Sequence, residues 1–330
     1  MVKKFEKDFR DPSSEYRSCP FWAWNTRLDK EELIRQIDAF KKMGFGGFYM
    51  HSRIGLDTEY LGDEFFDAVR ACITRAKDNG MFAELYDEDL WPSGVAGGLV
   101  TADLTKYRKK ALLFTKKDYS DDENYSLFAR FSLDFDEGGR GVSYSPIVGD
   151  TVTDGGELWR AYVYVVPDRA LHQTPPQGDV MDREGVAKFI EVTHEKYASE
   201  IGDEFGKSVR TIFTDEPTPE SVFFKKLYMC EGGDEVSCPY TRGLEDIFLE
   251  KYGFDLKKCL PEIFFDFGEG KNKVRYYFRR LIGELFYENY FSQIYDWCEN
   301  HGIDFTGHIL FEETLALQGR ASGDPMLMYS

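Results

Sequence analysis

Val209-Arg210-Thr211-Ile212-Phe213-Thr214-Asp215-Glu216-Pro217 is the stretch that decides the fold. Its first residues read as a buried strand, which ends abruptly in two adjacent carboxylates and a proline. Proline has no N–H to give to a strand ladder, so Pro217 marks the start of a loop. Acids at the carboxyl end of a buried strand are where α/β enzymes place their chemistry. An acidic turn is the competing reading, because Asp near Pro is ordinary turn chemistry.

Working outward, helix, glycine and strand recur. Leu33, Ile34, Ile37 and Phe40 share a helical face behind a capping-box-like Asp29 and Glu32. Gly44 stops that helix, and a strand runs from Phe45 to Ser52. Phe65, Phe66, Val69, Cys72, Ile73 and Ala76 form the buried stripe of the next helix, which stops at Gly80 before the strand Met81–Tyr86. Asn300-His301-Gly302-Ile303 repeats the junction. A left-handed glycine with a strand starting at once is the short connection of a βα repeat, and alternating elements mean a parallel sheet. A helix over about 183–199 leads into the opening strand. Another, 274–300, precedes the strand 303–310.

Residues 107–178 break the pattern. Leu127–Leu133 and Leu158–Val166 alternate apolar and polar between Gly and Asp clusters, which reads as an inserted antiparallel sheet. The expected architecture is therefore α/β: a (β/α)8 TIM barrel, incomplete after about five to six βα units, with an inserted antiparallel β subdomain. Residues 1–106 and 179–330 supply the barrel and 107–178 the insertion. A complete open sheet is the alternative.

Composition narrows the function classes. Hydrophobic residues at 42% with 16% aromatics supply a sizeable core, so global disorder is excluded. Against 59 Asp and Glu stand 41 Lys and Arg, and a net charge of -18 repels nucleic acid and anionic membranes. The six cysteines form no CxxC pair and no metal-like spacing, which disfavours zinc. With no signal-like segment and no run of membrane-span length, the sequence as it stands reads as soluble and cytoplasmic, or as secreted or periplasmic with its leader removed.

Side chains alternate along a strand, so parity sorts them between helices and centre. On this reading His51, Glu88, Glu216, His308 and, by continued parity, Glu312 converge at strand carboxyl ends. In the opening strand Arg210, Ile212, Thr214 and Glu216 face the centre, while Thr211, Phe213 and Asp215 face out. Paired carboxylates around an aromatic cleft are what glycoside hydrolysis requires: one acid protonates the leaving oxygen, and the other activates water or attacks the sugar. Trp22, Trp24 and Trp91 are either sugar platforms or packing residues.

Trp22-Ala23-Trp24-Asn25, Gly46-Gly47-Phe48-Tyr49-Met50-His51, Tyr86-Asp87-Glu88-Asp89-Leu90-Trp91-Pro92-Ser93-Gly94, Phe213-Thr214-Asp215-Glu216-Pro217 and Thr306-Gly307-His308 occur in one order. This set resembles the catalytic barrels of the α-L-rhamnosidases of glycoside hydrolase family 106 and of mostly uncharacterised bacterial hydrolases near them. The resemblance implies a (β/α)8 catalytic domain in a longer chain with further domains, a carbohydrate substrate, an inverting carboxylate pair and calcium as a helper. No calcium loop stands out, so neither a metal nor another cofactor is expected from the residues themselves. Set against this likeness, the sequence stops before the later strands, which leaves the second carboxylate open to lie beyond Ser330.

The expected roles are Glu216 as general acid and Glu312 or Glu313 as base or nucleophile. Trp24, Asn25, His51, Asp87, Glu88, Trp91, Asp215 and His308 are expected around the sugar. A non-catalytic carbohydrate-binding fragment of a larger hydrolase is the second hypothesis. A metal-dependent barrel hydrolase is disfavoured because the first strand lacks His-x-His. A Schiff-base aldolase is disfavoured because no Lys ends a strand.

Overall fold

Each helix of the repeat stops where the sequence says it should. The computed structural model describes residues 2–102, 106–149, 156–167, 175–220, 234–268 and 273–324, with 2–5 and 320 described by backbone alone. A short helix α1 (Val2–Arg10) precedes strand β1 (Phe21–Trp24). In α2 (Lys30–Met43) the Asp29 carboxylate accepts the Glu32 N–H at 2.8 Å, satisfying one of the four donors a helix start leaves orphaned. Gly44 ends it at φ 88°, and β2 (Gly47–Ser52) follows. Helix α3 (Asp63–Asp78) buries the expected stripe and is followed by Gly80 at φ 59° and β3 (Phe82–Tyr86). The third junction glycine, Gly302, sits at φ 67°. All three adopt the left-handed backbone that a Cβ disfavours.

Strands β1, β2 and β3 continue into β8 (Thr211–Asp215) and β10 (Asp304–His308) as a five-stranded, wholly parallel sheet in that order. New strands join the growing edge in chain order, as the βα repeat requires. Among the described residues β1 and β10 are the sheet's two edges, so closure into a barrel is not part of the described structure.

The second sheet is antiparallel, in the order β6-β5-β7-β4-β9. Its strands are β4 (Lys110–Thr115), β5 (Tyr125–Phe135), β6 (Gly141–Pro146), β7 (Glu157–Val165) and β9 (Glu235–Tyr240). Four come from the expected insertion. The fifth, β9, lies outside 107–178, and pairing along its full length to β4 covers what would otherwise be an open edge. Val236, Cys238 and Tyr240 alternate toward the core, a period-2 signal short enough to be lost among the mixed residues around it.

Trp22, Trp24, Phe48, Met50, Ala83, Leu85 and Ile212 bury the helix-facing side of the parallel sheet. Trp22 meets Phe40 of α2 at 5.4 Å and Trp24 meets Phe65 of α3 at 5.5 Å, ring centroid to centroid. The helix expected over 183–199 is two helices, α4 (Arg183–Val192) and α5 (His194–Ile201), broken at Thr193. The Thr193 hydroxyl bonds the Phe189 carbonyl at 2.7 Å and so bends the chain. Three short helices, α6 (Leu244–Tyr252), α7 (Leu256–Cys259) and α8 (Pro261–Phe264), lead to α9 (Lys273–Phe286). A π-helical turn (Tyr287–Phe291) joins α9 to α10 (Ser292–His301), and the chain continues through β10 to α11 (Leu315–Ala321). That turn carries Tyr290, whose hydroxyl meets Thr214 Oγ1 of β8 at 2.7 Å. Among the described residues no helix is long and apolar enough to cross a membrane.

Candidate active site at the strand carboxyl ends

The β8–β10 register sets Asp215 directly beside His308, and His308 Nε2 bonds Asp215 Oδ1 at 2.8 Å. From β3, the Tyr86 hydroxyl donates to Asp215 Oδ2 at 2.6 Å. Asp215 therefore faces the centre, which corrects the outward placement expected from parity. In β8 it is Ile212 and Thr214 that turn toward the helices, both 1% exposed, while Thr211, Phe213 and Asp215 turn inward. Apolar Ile212 and Phe213 stand on opposite faces, which left the alternation unreadable.

Glu216 reaches the same cleft by a different device. Its backbone is left-handed, φ 49°, just past the strand end, and its N–H bonds the His308 carbonyl at 3.1 Å. The Trp91 indole N–H donates to Glu216 Oε2 at 2.6 Å. His308 Nδ1 lies 4.0 Å from Glu216 Oε1 and 3.4 Å from Glu312 Oε1. Those two distances from one nitrogen hold the two carboxyl oxygens within 7.4 Å (4.0 plus 3.4) of each other. The adjacent acids thus converge rather than diverge.

Their electrostatics pull apart. Burial would raise the Asp215 carboxyl, but hydrogen bonds from His308 and Tyr86 outweigh it and hold the group below its ordinary range. Burial, and then the charge of Asp215, push Glu216 above its ordinary range despite His308 and the Trp91 bond. The bond to Asp215 raises His308 against the opposing pull of burial. His51, 7% exposed, is pushed down to about 4 by burial and by Arg53, and its Nε2 has no hydrogen-bond partner. At neutral pH the cleft therefore holds an ionised Asp215 and a neutral His51, with the proton on Glu216 favoured beyond that of an ordinary glutamate.

Below the acids the sheet's inner face is aromatic. Phe21 meets Phe213 at 4.8 Å and His51 at 5.1 Å, and His51 lies on Tyr86 at 3.9 Å. Phe213 also contacts His308 at 5.6 Å. Phe21 and Phe213 escaped the sequence reading. Register would have found Phe213: Leu85 pairs with Ile212 on the helix-facing side, so Phe213 shares the inner face with its partner Tyr86.

Three expected sugar contacts are corrected. Trp24 is 2% exposed and packs on Phe65 behind the sheet, because even-numbered β1 residues face the helices. Asp87 and Glu88 are both fully buried, at 0% exposure. Glu88 spends its two oxygens on the N–H groups of Asp89, Gly94, Val95, Ala96 and Gly97, at 2.6–3.0 Å, and so folds the loop after β3 around itself. Burial pushes it up to about 7 while these bonds pull the other way. Asp87 accepts the Ser93 hydroxyl. Of the remaining candidates, Asn25 is exposed one residue past β1, and Glu313 is exposed beside Glu312 in the turn after β10.

Calcium does not fit the described residues. Among the described residues no three His, Cys, Asp or Glu side chains are grouped to hold an ion, and the most buried glutamate is saturated by backbone donors. No step below is routed through a metal.

No protein-family model matches the chain, and no curated protein sequence matches it. Among solved structures, a rhamnosidase from Novosphingobium sp. PP1Y superposes over 98% of this chain with a TM-score of 0.59 at 13% identity. The chain spans about half of that protein, 48% of its length. At that identity the likeness is one of fold alone, a mixed α/β architecture.

Proposed function

We propose that the chain carries glycoside hydrolase chemistry, cleaving a glycosidic bond of a carbohydrate with Glu216 as general acid. The observation that carries this reading is the divergence of two adjacent carboxyls at one strand end, Asp215 held low by His308 and Tyr86, Glu216 held high by burial and by Asp215. Environments that separate two neighbouring acids assign their roles. Support also comes from the rhamnosidase whose fold the chain shares, and an α-L-rhamnoside-like substrate is the first to try. In the same reading the parallel strands are an arc of a (β/α)8 barrel, with the acids at its carboxyl-end rim.

Glu216 gives its proton to the glycosidic oxygen as the bond to the anomeric carbon breaks, and the sugar takes on oxocarbenium character. The Trp91 indole fixes the carboxyl's direction. Glu312 either takes a proton from the attacking water or attacks the anomeric carbon itself. A separation of roughly 5 Å belongs to retention and roughly 6.5–9.5 Å to inversion, and the 7.4 Å bound admits both. The Phe21 and Phe213 rings serve the sugar as an apolar floor.

The test is turnover of a panel of aryl glycosides, α-L-rhamnosides first, with the released sugar's anomer read by NMR. Glu312→Gln should lose roughly a hundredfold or more. Oligosaccharide binding in a calorimeter with no cleavage of any panel member would instead make the chain a sugar-binding unit.

A further inference from the structure

Ser93 has no expected role in the chemistry, yet it joins the two segments that meet at Glu216. Its hydroxyl donates to Asp87 Oδ1 at 2.5 Å and accepts the Asp215 N–H at 2.8 Å. Its own N–H donates to the Asp215 carbonyl at 2.9 Å. Both backbone groups of Asp215 are thereby tied to one residue that is 4% exposed. Asp87 in turn is anchored by its N–H to the Phe213 carbonyl, 3.0 Å, so the tie closes on β8 from both sides.

The positions of the neighbours give this tie its consequence. Trp91, which directs the Glu216 carboxyl, is two residues before Ser93, and Glu216 is the residue after Asp215. Glu216 sits in a left-handed conformation that a non-glycine residue adopts only when its surroundings hold it there. The loop is rigid on its other side too, because Glu88 gathers the N–H groups of residues 94–97.

We propose that Ser93, oriented by Asp87, is a positioning residue that locks the Asp215–Glu216 peptide against the Trp91 loop and so sets the direction of the Glu216 carboxyl. Ser93 touches no reacting atom and acts through the backbone on either side of it. The proposal rests on the glycosidase reading for its kinetic consequence but not for its structural one.

Nitrogen-15 NMR of the chain reads the lock directly, with the Trp91 indole signal assigned by its loss in Trp91→Phe. In the wild type that signal titrates with Glu216, above the ordinary glutamate range. In Ser93→Ala the amplitude of that titration collapses and its midpoint departs from the wild-type value, because the carboxyl turns away from both the Trp91 indole and Asp215. On an aryl glycoside with a poorly acidic phenol kcat then drops between tenfold and about a hundredfold, with KM held within about twofold. Ser93→Thr, which keeps the hydroxyl, restores the midpoint. A folded Ser93→Ala with the wild-type midpoint overturns the proposal. The wild type supplies a second check that no folding defect can obscure: the Asp215 amide must be strongly protected from hydrogen exchange, and exchange at the rate of an open loop overturns the lock. Neither NMR readout needs turnover, so a chain that binds sugars without cleaving them would sink the glycosidase reading and still decide this one.

Discussion

Asp215→Asn removes one charge and almost no volume. The side chain is 12% exposed in its carboxylate form and bonds Tyr86 and His308. Asparagine can still accept from Tyr86, so the loss falls on the charged pair with His308. A charge-assisted hydrogen bond contributes about 1.5–3 kcal/mol, and with His308 at 31% exposure solvent screening places this one near the lower end, about 1.5 kcal/mol. The pH dependence follows from the two shifts. Asp215 is held low when folded, so its share of stability is present above the unfolded carboxyl value and is lost as pH falls through the folded one. His308 is held high, so its share is present below the unfolded imidazole value and is lost as pH rises through the folded one. The difference between wild type and Asp215→Asn should therefore be largest in the window from about pH 4 to about 6.5 and shrink on either side. Thermal melts from pH 3 to 9 should show a Tm deficit of a few degrees within that window. The variant also removes the charge that helps to raise Glu216, so the alkaline limb of its pH–rate profile moves to lower pH. A deficit that is flat in pH, or greatest at pH 9, would refute the pair as described.

Trp91→Phe should move the same alkaline limb the other way, to higher pH, because the lost indole bond stabilises ionised Glu216; a pH–rate profile of kcat checks it. Glu88→Gln sets an amide NH2 among N–H donors that five bonds now satisfy, and should cost at least about 3 kcal/mol in a denaturation experiment. Gly307→Ala drives a Cβ to 2.6 Å from Thr214 Cγ2 between β8 and β10, and should lower stability by about 1–3 kcal/mol in thermal melts.

Helix ends and three strands were legible because their signals are local. Asp29, Gly44, Gly80 and Gly302 do what their residue types dictate, and the inward faces of β2, β3 and β10 follow from alternation. Three features were hidden for three physical reasons. β8 sets an apolar residue on each face, Ile212 toward the helices and Phe213 toward the cleft, so its pattern carries no direction. Glu216 enters the cleft through a left-handed residue, and neither strand parity nor glycine content announces that conformation in a glutamate. Asp87 and Glu88 look like ligand acids in sequence, but their partners are Ser93 and the N–H groups of the loop that follows, and only the folded loop brings these back to the strand. Strand β9 escaped for a related cause: its partner β4 lies over a hundred residues earlier in the chain, and nothing local encodes the pairing.

Donation of the Glu216 proton to the departing oxygen is read from the dependence of rate on the leaving group. Wild type and Glu216→Gln are compared on aryl glycosides whose phenols span several units of acidity. A phenol that departs without protonation has no need of the acid. Glu216→Gln should lose roughly a hundredfold or more on poor leaving groups and recover most of that loss on the most acidic phenols. An equal loss on every phenol would contradict the claim.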